Sequence, residues 1–122
     1  MLIGDANIIL RIILNDNKDM TEKALDLIEN NKVLIKNEVF AEVVYVALKV
    51  YKKEKYRICD VLIKFIKSEQ IFTDSNEVIM LSLNTFKDSS FDFVDCILYA
   101  YKKVLGYEVA TFDEKLKKFL MK

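Results

Sequence analysis

At 122 residues the chain is long enough for one domain around one hydrophobic core and too short for two. Hydrophobic residues make up 52%, with no Pro and only two Gly, which excludes a disordered chain and a turn-rich all-β fold. The 19 basic and 19 acidic residues cancel, so composition advertises no polyanionic partner, and the absence of His removes Ser-His, Cys-His and most zinc chemistry. Catalysis is left to carboxylates, lysines, hydroxyls or a hard metal ion. No apolar run reaches the about 18 residues of a membrane span, and no basic stretch precedes the first apolar one, so a cytoplasmic protein is expected. Cys59 and Cys96 fit that compartment as small buried residues.

In chain order, Leu2-Ile3-Gly4 reads as a short strand that stops at Asp5, and the apolar run Ile8 to Leu14 as a buried helix. After a polar break, Asp19 is placed to cap a helix from Met20 to Glu29. Lys32 to Ile35 forms a second strand, and a long helix from Asn37 to Lys53 follows it directly. A further amphipathic helix spans Tyr56 to Lys67, and Ile71-Phe72-Thr73 is a short third strand. Asp74 or Ser75 caps a helix from Asn76 to Phe86; the next runs from Phe93 to Leu105 and stops at Gly106. Tyr107 to Thr111 predicts a fourth strand and Glu114 to Met121 a final basic helix. Helices alternating with short apolar strands imply an α/β sandwich around a mainly parallel sheet, a single domain over residues 1–122.

That connectivity bears on four acids. Ligands in open α/β sheets sit outside the carboxyl ends of the strands, where Asp5 ends the first strand. Glu42 lies about one turn inside the helix that leaves the second strand at the same edge. If the fourth strand is parallel, the helix before it starts at that edge, with Asp95 in its first turn, and Asp113 follows the fourth strand there. Plainer explanations stand beside each. Asp92 and Asp95 have the spacing of a helix-capping pair, Asp113 that of an N-cap, and Glu38 shares a face with Glu42 and is a substitute for it. Asp5, between two apolar segments, is expected to be paired or metal-bound. Converging carboxylates repel one another, and a hard divalent cation such as Mg²⁺ or Mn²⁺ resolves the repulsion. The matching chemistry is metal-assisted hydrolysis of a phosphodiester.

The stretches Asp5-Ala6-Asn7, Val39-Phe40-Ala41-Glu42-Val43, Phe93-Val94-Asp95-Cys96-Ile97-Leu98-Tyr99-Ala100 and Thr111-Phe112-Asp113-Glu114-Lys115-Leu116 together resemble the motifs of PIN-domain nucleases, over nearly the whole chain. The resemblance implies a PIN-like three-layer α/β sandwich with a mainly parallel four- or five-stranded sheet, and a Mg²⁺- or Mn²⁺-dependent endoribonuclease. In compact members it implies a VapC-type toxin held by a small antitoxin protein. Carried over to this sequence, Asp5, Glu42, Asp95 and Asp113 become the catalytic metal-binding acids, with Asn7 and Thr111 in support. Cys96 departs from the family's usual Ala.

Lys49, Lys52, Lys53, Lys55 and Arg57, with Lys115, Lys117 and Lys118, are read either as a solvated face or as guides for RNA phosphates. Arg11, alone in an apolar helix, is a partner for one of the acids. Tyr45, Tyr51, Tyr99 and Tyr101 offer stacking surfaces for bases or simply packing. The surplus apolar surface of the helices around Glu38–Tyr51 and Phe93–Leu105 predicts a homodimer. The alternative to an enzyme is a non-catalytic module of the same fold acting through RNA or protein contacts. A phosphoacceptor domain using Asp5 is a third reading, weakened by the lack of an acid pair after the first strand.

Overall fold

The computed structural model describes all residues, 1–122. Three strands, β1 (Leu2–Ile3), β2 (Val33–Ile35) and β3 (Phe72–Thr73), form one parallel sheet in the order β1-β2-β3. Leu2 pairs with Val33 and Ile3 with Leu34, while Leu34 pairs with Phe72 and Ile35 with Thr73. Around the sheet run α1 (Ala6–Leu14), α2 (Lys18–Asn30), α3 (Asn37–Lys49), α4 (Lys55–Lys67), α5 (Asn76–Asp88), α6 (Phe93–Leu105) and α7 (Glu114–Leu120). No helix is long and apolar enough to cross a membrane.

The central strand explains the arrangement. Val33 and Ile35 of β2 are fully buried, so helices must cover them, and Phe40, Val43, Val44 and Ala47 give α3 the apolar face that does so. Gly4, just beyond β1, sits where a Cβ would lie 2.8 Å from Ile35 Cδ1 and 2.9 Å from Val33 Cγ1. The close approach of β1 to β2 thus depends on the missing side chain, and the Gly4 N–H donates to the Leu34 carbonyl at 2.9 Å. At the far end of the chain, α7 docks by inserting Phe119 against Phe91, with ring centroids 4.4 Å apart, and Tyr99, at 4.8 Å. Tyr99 is therefore a packing residue.

Several boundaries differ from the sequence-based expectation. The sheet has three strands, since Tyr107 to Thr111 is not a strand: none of its backbone groups bonds to another backbone group. Its β-forming composition is no substitute for a partner edge. The outer edge of β1 is left open, and Ile3 is 70% exposed. The helix expected from Asn37 to Lys53 ends at Lys49, where a short loop holding Lys52 at φ 55° leads into α4. Asn17, not Asp19, caps α2, its side chain accepting from the Met20 N–H at 3.1 Å. Arg11 pairs with Asp16 at 3.5 Å and with none of the four candidate acids.

Gly4→Ala is expected to cost about 1–3 kcal/mol, because an added methyl must displace buried β2 side chains. Shortening Ile35 to Val in the same chain should recover part of that loss. Urea melts of the two variants would show it, and a Gly4→Ala chain as stable as wild type would contradict it.

Candidate functional site

The carboxyl ends of the three strands are marked by charge. Asp5 closely follows β1, while Lys36 and Asp74 directly follow β2 and β3. Asp5 is exposed and serves as the N-cap of α1, its Oδ1 accepting from the Ile8 N–H at 3.3 Å. It is not enclosed as its apolar flanks suggested, because β1 is an edge strand. Asn7 lies exposed in the first turn of the same helix. Lys36 and Asp74 form an ion pair, and Asp74 reaches across to accept from the backbone N–H of Asn37 at 3.0 Å, which caps α3 from another strand. Burial pushes the Asp74 carboxyl up, but the Lys36 hydrogen bond, the Asn37 N–H and the Lys36 charge outweigh it and hold the group below its ordinary value. Of the two caps that the sequence offered for α5, Asp74 or Ser75, it is Ser75 that serves. Nothing in the local sequence signals the long-range cap.

Glu42 lies on the exposed side of α3 in line with Glu38, Tyr45 and Lys49, at the i, i+3 and i, i+4 spacings that make neighbours on a helix. The buried side is filled by Phe40, Val43, Val44 and Ala47, so the acid needs no buried partner.

A second group of acids gathers where α6 begins. Asp92 caps α6 by accepting from the Asp95 N–H at 3.0 Å. Burial pushes the Asp95 carboxyl up, aided by the charge and hydrogen bond of Asp92 and by the charge of Asp113. Asp113 caps α7, accepting from the N–H groups of Lys115 at 2.9 Å and Leu116 at 3.2 Å. The Thr111 hydroxyl oxygen accepts from the Asp113 N–H at 3.1 Å, so Thr111 steadies that acid.

These two regions are separated by the direction of α6. The Asn37 side-chain amide, at the carboxyl edge, donates to the hydroxyl of Tyr101, late in α6. The start of α6, at Phe93 and Val94, instead shares a cleft with Val44, Tyr45 and Leu48 further along α3. The helices are antiparallel, and α6 climbs toward the carboxyl edge instead of descending from it. Asp95 precedes Tyr101 by six positions, which sets it roughly 9 Å further from that edge. The expected direction depended on a parallel fourth strand, which does not form. Asp92 and Asp113 both act on Asp95, yet no three acids in the molecule are grouped closely enough to hold one metal ion. The donor chemistry, hard carboxylate oxygens with unneutralised repulsion, suits a divalent cation; the spacing does not. The cysteines next to this region are inert, since burial pushes the Cys96 thiol up to about 11 and Cys59 up to about 12.

Compared with known proteins, residues 2–119 match a family model described as PIN domain. No curated protein and no solved structure matches the chain.

Asp95 and Asp74 should respond to pH in opposite senses. A raised folded pKa makes ionisation oppose folding, with the favourable contribution complete below the unfolded pKa and lost as pH rises through the folded one. Asp95→Asn should therefore raise Tm at pH 7 and leave it unchanged near about pH 3. Asp74→Asn should lower Tm at pH 7, a deficit that shrinks as pH falls through the depressed folded pKa. Thermal melts at both pH values test the pair, and a pH-independent shift would contradict either assignment.

Proposed function

The chain belongs to the PIN-domain family, and on that premise we propose that it is a metal-dependent endoribonuclease and the toxin of a toxin–antitoxin pair. Family membership carries the reading, because it points to nuclease-like chemistry over nearly the full length of the chain. The half-buried Asp95, raised by burial and further by the charges of Asp92 and Asp113, supports it, since a cation would relieve such a group. Asp5, Glu42, Asp95 and Asp113 are the proposed ligands of Mg²⁺ or Mn²⁺, with Asn7 and Thr111 as supporting polar residues. When bound, such an ion supplies a hydrolytic water and offsets charge on the phosphate. The protein's own contribution is to present acids from β1, α3, α6 and the approach to α7. Loading an ion requires those acids to approach one another. Tyr107–Phe112, which leads into Asp113 and holds no backbone pairing, leaves Asp113 free to shift toward the other acids. A fourth strand on the open edge of β1 belongs to the same proposal, as does a small antitoxin protein as partner.

Structured RNA incubated with Mn²⁺ or Mg²⁺ should be cleaved, with EDTA, Asp5→Asn and Asp95→Asn each abolishing the activity. Equal trace activity in wild type and both variants would point to a contaminant and overturn the assignment. The exposed apolar residues of α3 and α6, among them Tyr45, Val94 and Leu105, support a homodimer as well. Light scattering at tens of micromolar should return twice the chain mass, and a monomer at that concentration would refute this.

A further inference from the structure

Two features of the molecule are left without partners, and they complement each other. The first is the outer edge of β1. The N–H groups of Leu2 and Gly4 donate to the Lys32 and Leu34 carbonyls, so by strand alternation the N–H and C=O of Ile3 point away from the sheet. Beside them opens a groove of about 310 Å³, lined by Leu2, Ile3, Gly4, Ile8 and Leu27. The second is Tyr107–Phe112, a segment of strand-forming composition with no backbone pairing, which ends in the fully exposed Phe112. Within one chain this segment runs the wrong way to unite the acids. The Tyr107 ring lies 6.0 Å from that of Tyr101, near the carboxyl edge, while the charge of Asp113 acts on Asp95 at the start of α6. The segment therefore leads away from the carboxyl edge, opposite to β1, and carries Asp113 away from the level of Asp5. It is also pinned at both ends, by α6 and by the buried Leu116, Phe119 and Leu120 of α7.

From these observations we infer that the open edge of β1 takes the Tyr107–Phe112 segment of a second, inverted copy of this chain. The segment adds as a parallel strand and sets Asp113 beside the partner's Asp5. In that register Phe112 is level with Gly4, on the strand face shared by Leu2, and an aromatic ring opposite an edge glycine covers the gap left by the missing side chain. Glu108 then reaches the foot of the sheet, where Lys32 precedes β2, and neither residue has an ion pair within its own chain. Strand addition at a sheet edge draws affinity from backbone bonds and specificity from alternate side chains. A second copy brings the aromatic plug, the acid for Lys32 and the unpaired backbone together. The inference rests on the nuclease reading for the role of Asp113, and deepens it. The fourth strand at this edge comes from a neighbour, and acids held apart in one chain meet between two. Asp113 and the partner's Asp5 repel each other there, a cost that a divalent cation offsets.

Leu2 and Ala110 are level in this register, close enough for a disulfide. An equimolar mixture of full-length Leu2→Cys and Ala110→Cys chains, oxidised with diamide in EDTA, should give a linked dimer that neither variant gives alone. Cys59 and Cys96 are buried and stay out of the reaction. Absence of the mixed dimer overturns the inference. So does a doubly substituted chain that closes within itself as a monomer, which puts the strand in its own molecule. In a light-scattering dilution series Phe112→Ala should weaken association about 10- to 100-fold, the loss of one buried aromatic. Asp5→Asn should tighten association about 5-fold in EDTA by removing one like-charge contact, with Asn keeping the cap on α1. Unchanged association in either variant overturns the pairing, and a dimer indifferent to Phe112→Ala is one built on α3 and α6 instead. RNA cleavage by wild type without a mixed dimer would keep the nuclease and discard the strand exchange, while a mixed dimer in a chain that cleaves nothing would do the reverse.

Discussion

The antiparallel packing of α6 along α3 decides which charged groups in this protein are neighbours. It is held at one end by Asn37 and Tyr101 and bordered at the other by the cleft between Tyr45 and Val94. Because α3 leaves the carboxyl end of β2, the direction of α6 sets the height of Asp95 above or below the sheet edge. The result is two acidic regions. Asp5 and the Lys36–Asp74 pair follow the carboxyl ends of the strands, while Asp92, Asp95 and Asp113 gather at the start of α6.

The same residues serve local structure and candidate chemistry. Asp5, Asp92 and Asp113 each cap a helix, where the peptide dipoles favour a negative charge. Capping fixes each side chain without neutralising it. Asp95 is different, since it caps nothing, is half-buried and faces two other carboxylates. The molecule therefore holds three carboxylates at the start of α6, none of them in an ion pair.

Stability and chemistry meet in the segment after Gly106. The glycine ends α6 at φ 73°, the left-handed conformation that stops a helix without strain. Beyond it the chain runs unpaired to Phe112, which is fully exposed, before Asp113 restarts a helix anchored by Leu116, Phe119 and Leu120. An unpaired stretch between two anchored helices is where rearrangement costs least.

Much of this was legible in the residue pattern. The alternation of short apolar strands with amphipathic helices gave the α/β class, every helix and the first three strands, because periodicity and caps are local properties. The family was also readable, since motif order survives in one dimension. The fourth strand was not, because Tyr107 to Thr111 has strand-like composition whether or not an edge accepts it. Nor was the Asp74 cap on α3, which joins residues far apart in the chain. The direction of α6 along α3 was decided only in three dimensions. Sequence spacing limits where a helix begins and ends, but side-chain packing against α3 and α5 chooses which way it points.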